Sequence, residues 1–241
     1  MNDKPRTGPE KGWLAALPRH RLMAEMSTWS ADLGHLIDDL QRVDALTDIF
    51  HIDVADGHFA PAMLFFPDIV AAARRVTRKP FHVHLMVADN ILLSQIDQFA
   101  EAGADLISVH AENATAANAI RHIRSVGLEA GLVLQLHTPV AAAGPFLDSI
   151  SMLTLLGTRI GVKGQGLDEQ AGARLQEAAA IIRARSSDHR IILAADGGIR
   201  EHTVPLLRAS GAETIVMGSL AFGASDFSAR MAWVHTMPGP A

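Results

Sequence analysis

The chain has 241 residues, 49% of them apolar, with 12 histidines and a formal net charge of −5. That suits one barrel-sized α/β domain or two smaller ones, and the absence of a basic run argues against nucleic acid or an anionic membrane as partner. There are no cysteines, which excludes disulfides and thiolate metal ligands, and no apolar stretch approaches the length of a membrane span.

Residues 1–20 (MNDKPRTGPEKGWLAALPRH) are polar, contain Pro and Gly, and lack an apolar signal core. They read as a loosely ordered N-terminal extension, and the expected location is the cytoplasm. Residues 21–241 form the second unit. Its first apolar run, RLMAEMST (21–28), precedes a helical pattern over 31–45. Strand-like runs follow at DIFHIDV (48–54) and PFHVHLMV (80–87), then a helical stretch at 91–102. DLISVH (105–110) leads to a helix over 114–126, EAGLVLQL (129–136) and ISMLTLLG (150–157) come next, and a helix is expected over 168–186. RIILAAD (190–196) and ETIVMG (213–218) complete the set. EAGAD, RSVGLEAG and RASGAET each place a glycine between a helical run and the next strand, as helix exits prefer. Repeated strand–helix alternation implies a parallel sheet, and eight such units in this length imply a closed (β/α)8 TIM barrel. An open doubly wound sheet would want a G-x-G-x-x-G turn after the first strand, and MSTWSADLG has none.

FHIDVADGHF, at 50–59, places His51, Asp53, Asp56 and His58 within eight residues of a strand that reads as buried. Burying a carboxylate without a partner is costly, so something must accompany it. Barrel chemistry gathers at the C-terminal strand ends. There the chain places His51 and Asp53 (second strand), His82 and His84 (third), Asp196 (seventh), and Gly218–Ser219 after the eighth. Taken singly, each has a plain structural role, as a core histidine or a helix cap. Together, His51, Asp53, His84 and Asp196 make a reasonable set of ligands for a divalent cation, zinc, manganese or iron(II). Gly197–Gly198 and Gly218–Ser219 leave backbone amides open to phosphate, a position barrels often use.

With these residues in view, the chain resembles the ribulose-phosphate 3-epimerase family, from about residue 22 to 235. The resemblance rests on STWSADLG (27–34), HIDVADGHF (51–59), VHLMV (83–87), SVHAE (108–112), ADGGI (195–199) and VMGSLAFG (216–223). It implies a barrel that inverts C3 of a ketose phosphate through a metal-stabilised enediolate. Asp53 and Asp196 would serve as the two acid/base groups as well as ligands. Ser27 would contact substrate, and Gly197, Gly198, Gly218 and Ser219 would hold phosphate. A homo-oligomer is implied too, and no organic cofactor.

The chain departs from the family in the loop after the sixth strand, LLGTRIGVKGQGL (155–167), where Gly161, Gly164 and Gln165 keep their places. Ile160 stands for a proline and Lys163 for a glycine in a segment that, by the resemblance, would close over substrate; a lysine there could still serve an anion. Ala55, Leu156, Ala62 and Phe66 also replace family residues around the mouth. These changes point to a ketose phosphate other than ribulose 5-phosphate: a tetrulose, pentulose or hexulose phosphate. Two other readings compete. A lyase or aldolase of the same barrel would want a buried strand lysine, and the chain has only Lys4, Lys11, Lys79 and Lys163. A non-catalytic sugar-phosphate binder would need no pair of proton acceptors.

Overall fold

The computed structural model describes residues 8–187 and 189–238. Eight strands close into one parallel barrel in sequential order: β1 Met23–Ser27, β2 Ile49–Ala55, β3 Phe81–Met86, β4 Leu106–His110, β5 Glu129–Leu134, β6 Met152–Leu156, β7 Ile192–Asp196 and β8 Thr214–Met217. Each expected strand is present. Helices α2 Leu36–Val43, α3 Pro67–Arg74, α4 Asp89–Ala102, α5 Ala116–Ser125, α6 Ala171–Arg183, α7 Val204–Ala209, α8 Ser219–Phe222 and α9 Phe227–His235 surround it, after a first short helix α1 Trp13–Ala16.

Local chemistry explains the boundaries. The helix expected over 31–45 is α-helical only in its middle, flanked by 3-10 turns at Leu33–His35 and Asp44–Leu46. Asp32 accepts a hydrogen bond from Gly34 N and sets the first of these turns. After β5 the connection is a 3-10 segment, Val140–Phe146, whose Pro145 lacks the N–H that an α-helix would use. α4 stops at Gly103, which adopts φ 105 in the left-handed region.

Barrel strands are buried on both faces. Outward residues such as Met26, Phe50, Val83, Leu132 and Leu193 pack beneath the helices in the main apolar core. The inward residues form layers. At the bottom, Met23, Ile49, Leu106, Met152, Ile192 and Ala194 make an apolar floor, closed from below by Leu14 of α1 with Trp13 and Leu17. The N-terminal segment is therefore not loosely ordered throughout: residues 13–17 plug the barrel, because a floor of large apolar side chains would otherwise face water. Above the floor the interior turns polar, with Glu25, His51, His82, Ser108 and then Ser27, Asp53, His84 and His110 buried inside the strands. No helix among the described residues is long and apolar enough to cross a membrane.

Candidate metal centre and active site

Strand register brings the expected residues together. Asp53 on β2 pairs with His84 on β3, and Leu156 on β6 pairs with Asp196 on β7. One ligand atom each from His51, Asp53, His84 and Asp196 lies within 4.8 Å of every other. His51 Nε2 is 3.3 Å from Asp53 Oδ1 and 4.0 Å from Asp196 Oδ2; His84 Nδ1 is 3.4 Å and 3.7 Å from the same two atoms. Both nitrogens are buried without a hydrogen-bond partner. A buried, orphaned imidazole nitrogen is costly. Two of them beside two carboxylates fit a cation, so the donor set suits a divalent metal with N and O ligands.

The outer sides of both imidazoles are held. His51 Nδ1 lies 3.1 Å from Glu25 Oε2, which is also 2.6 Å from His82 Nδ1, and His82 Nε2 is 2.7 Å from Ser108 Oγ. His84 Nε2 is 2.8 Å from His110 Nε2, and His110 Nδ1 is 3.1 Å from Glu112 Oε2. Glu112 in turn accepts from Gln135 N and from the Thr138 hydroxyl. Ser27 Oγ donates to Asp53 Oδ2 at 2.9 Å.

Electrostatics follow from this packing. Burial and the neighbouring Asp53 push Asp196 up to about 6. Burial works on Asp53 in the same sense, yet the His51 and His84 imidazoles outweigh it and hold this carboxyl well below its usual range. Burial likewise disfavours a charged His51, but Asp53 and Glu25 raise its pKa well above the ordinary value. Burial lowers the pKa of His82 and brings that of His110 down to about 4. Against its own burial, Glu112 falls to about 2, held by His110 and Thr138.

Asp53, His84 and Asp196 line a cavity of about 420 Å3, together with Ser27, Gly197, Gly198, Gly218 and Ser219. Gly197 and Gly198 have φ of 87 and 70, and a Cβ at Gly198 would lie 2.7 Å from the Leu167 backbone. These two glycines are thus required for the β7 turn to pass beneath the loop after β6. Lys163 and Gly164 line the same cavity. Lys163 Nζ donates to Trp29 O at 2.6 Å and stands 4.7 Å from the Trp29 ring centre, so the loop is fastened across the mouth to the segment after β1.

Asp56 and His58, from the same decapeptide, lie elsewhere. Asp56 accepts from His58 N, Phe59 N and Ala88 N, tying the turn after β2 to the end of β3, and His58 is exposed. Reading the sequence missed Glu25, His82 as a supporting residue, His110 and Glu112. The signal for Glu25 was present: one carboxylate inside the otherwise apolar run LMAEM.

The chain matches the model described as the ribulose-phosphate 3 epimerase family over residues 23–222. It is 36% identical over 197 residues to a ribulose-phosphate 3-epimerase of Bacillus subtilis, covering 81% of this chain and 88% of that one. With the ribulose-phosphate 3-epimerase of a Synechocystis species it shares 32% over 218 residues, 89% of this chain and 93% of the relative. Among solved structures, 3-hexulose-6-phosphate synthase from Salmonella typhimurium superposes with a TM-score of 0.65 at 16% identity, covering 88% and 96% of the two chains. Orotidine 5'-phosphate decarboxylase from Pyrococcus horikoshii superposes with a TM-score of 0.63 at 13% identity, covering 88% and 97%. At such identities these two likenesses speak for the barrel alone.

Proposed function

The chain belongs to the ribulose-phosphate 3-epimerase family and is a carbohydrate epimerase, and from that premise we propose that it inverts C3 of a ketose phosphate with the help of one divalent cation. The supporting observation is the convergence of four ligand atoms, two of them orphaned imidazole nitrogens, beneath a cavity of substrate size. His51, Asp53, His84 and Asp196 would hold the cation, with zinc, manganese and iron(II) all compatible with two imidazoles and two carboxylates. When bound, it supplies positive charge for the oxygens on which negative charge develops.

The residues of the chain move the proton. One of Asp53 and Asp196, ionised, takes the C3 proton; the C–H electron pair passes to the C2 carbonyl and an enediolate forms. The other, protonated, returns a proton to the opposite face of C3, and exchange with solvent resets the pair. Two carboxylates whose surroundings push their protonation apart suit this division. The Ser27 hydroxyl orients Asp53. Gly197, Gly198, Gly218 and Ser219 would take the phosphate, with Lys163 and Gly164 above it. Leu156 and Ile160 shape the wall of the same cavity, which supports a ketose phosphate other than ribulose 5-phosphate. A lyase reading lacks its nucleophile: among the described residues Lys163 is the only lysine lining the cavity, and it is exposed.

The test is solvent-deuterium incorporation at C3, followed by NMR with added zinc or manganese, across four-, five- and six-carbon ketose phosphates. Exchange coupled to epimerisation is expected. Binding without exchange would leave a sugar-phosphate binder, and turnover of ribulose 5-phosphate alone would remove the altered-substrate reading.

A further inference from the structure

We propose that Glu25 is a positioning residue for the cation site: from the barrel interior below the four ligands, its carboxylate accepts a hydrogen bond from His51 Nδ1–H and turns the Nε2 lone pair towards Asp53 and Asp196. This rests on the reading of those four residues as a metal site.

Glu25 is fully buried in the middle of β1, where an unaccompanied carboxylate would be costly. One of its oxygens serves two imidazoles, at 3.1 Å from His51 Nδ1 and 2.6 Å from His82 Nδ1. A carboxylate only accepts, so both histidines must carry their protons on Nδ1. His82 Nε2 is then an acceptor, and the Ser108 hydroxyl donates to it at 2.7 Å. The partner strand makes room for that hydroxyl: Ser108 pairs with Gly131, where a Cβ would come within 2.0 Å of Ser108 Oγ. Every proton in this chain of groups is thereby assigned, and the lone pair left over is His51 Nε2.

The other imidazole ligand is oriented in the same way. With Nδ1 facing the cation, His84 carries its proton on Nε2 and donates it to His110 Nε2 at 2.8 Å; His110 then donates Nδ1–H to Glu112 at 3.1 Å. Both metal-facing imidazoles therefore end on a carboxylate, His51 directly and His84 through a second ring. Such outer partners fix the tautomer and ring orientation of a ligand and raise its basicity. The atoms of Glu25, His51 and His82 also lie within 4.8 Å of one another. They do not form a second cation site, because both imidazole contacts to Oε2 are hydrogen bonds, and His51 could ligate there only by losing the Nδ1 proton that it donates to Glu25.

The experiment is a titration of full-length, chelator-stripped protein with Mn2+ or Zn2+, read by calorimetry, alongside circular dichroism and thermal unfolding of the metal-free forms. Glu25→Gln should keep the metal-free fold and bind the cation about 10–100-fold more weakly than wild type. Glu25→Asp retains the charge but, one methylene shorter, cannot reach both imidazoles; it should bind with intermediate affinity. It carries the test if the Gln variant does not fold. A folded Glu25→Gln or Glu25→Asp protein with wild-type affinity would overturn the proposal alone. Wild-type protein without cation binding, or a His84→Ala variant that binds as tightly as wild type, would overturn the metal-site reading and this inference with it.

Discussion

Replacing Asp196 by asparagine separates the two proton-transfer roles. The substitution preserves shape and removes a proton acceptor whose Oδ2 lies 3.7 Å from His84 Nδ1 and 4.0 Å from His51 Nε2. A positioned acid/base group contributes about 10²–10⁴-fold to rate. Net epimerisation should fall by that factor, or roughly 2.7–5.4 kcal/mol of added barrier. Asp53 is untouched, so whichever epimer presents its C3 hydrogen to Asp53 should still exchange it with solvent and return unconverted. Each epimer, incubated separately in D2O and followed by NMR, distinguishes the cases, with metal content measured in the same samples to separate a lost base from a lost cation. Epimerisation by metal-loaded Asp196→Asn within tenfold of wild type, or exchange of both epimers at equal rates, would refute the two-base reasoning.

Other perturbations test other parts of the molecule. Lys163→Met removes the fastening of the β6 loop to Trp29 and a cation beside the proposed phosphate subsite; KM for the sugar phosphate should rise about 3–30-fold with little change in Tm, since the residue is exposed. Leu14→Ala opens the barrel floor and should cost about 2 kcal/mol, lowering Tm by roughly 4–8 °C without touching kcat. Asp48 offers a pH test: it receives Arg21 at 2.6 and 2.8 Å and Ala24 N at 3.0 Å, and although burial opposes it, these partners hold its pKa below the ordinary value. A depressed folded-state pKa gives stability that is present above the unfolded value, about 3.9, and is lost as pH falls below it. Asp48→Asn should therefore flatten the acid limb of urea-unfolding stability and cost roughly 2–3 kcal/mol at neutral pH, below the fully buried range because Arg21 is partly exposed. An unchanged acid slope would contradict this assignment.

Much of the molecule was legible beforehand. Eight β-branched, apolar runs separated by helical stretches and glycine exits allow few topologies, because parallel strands need crossover helices and those crossovers take one hand. His51, Asp53, His84 and Asp196 stood out because ionisable residues at strand ends have no apolar role to play. Glu25, His110 and Glu112 were harder to assign. In a barrel strand both faces are buried, so an apolar run does not reveal which residues look inward. The short helix at 13–16 was missed because a four-residue segment carries almost no periodicity; only the open apolar floor beneath it gives Leu14 a partner. Local order of elements and the kinds of side chain at strand ends are properties of the chain itself, and they determined the barrel and its family. Which ring nitrogen faces the centre, and which carboxylate stands behind it, depends on the register between strands far apart in sequence. Only the closed sheet, which packs those side chains into one interior, decides it.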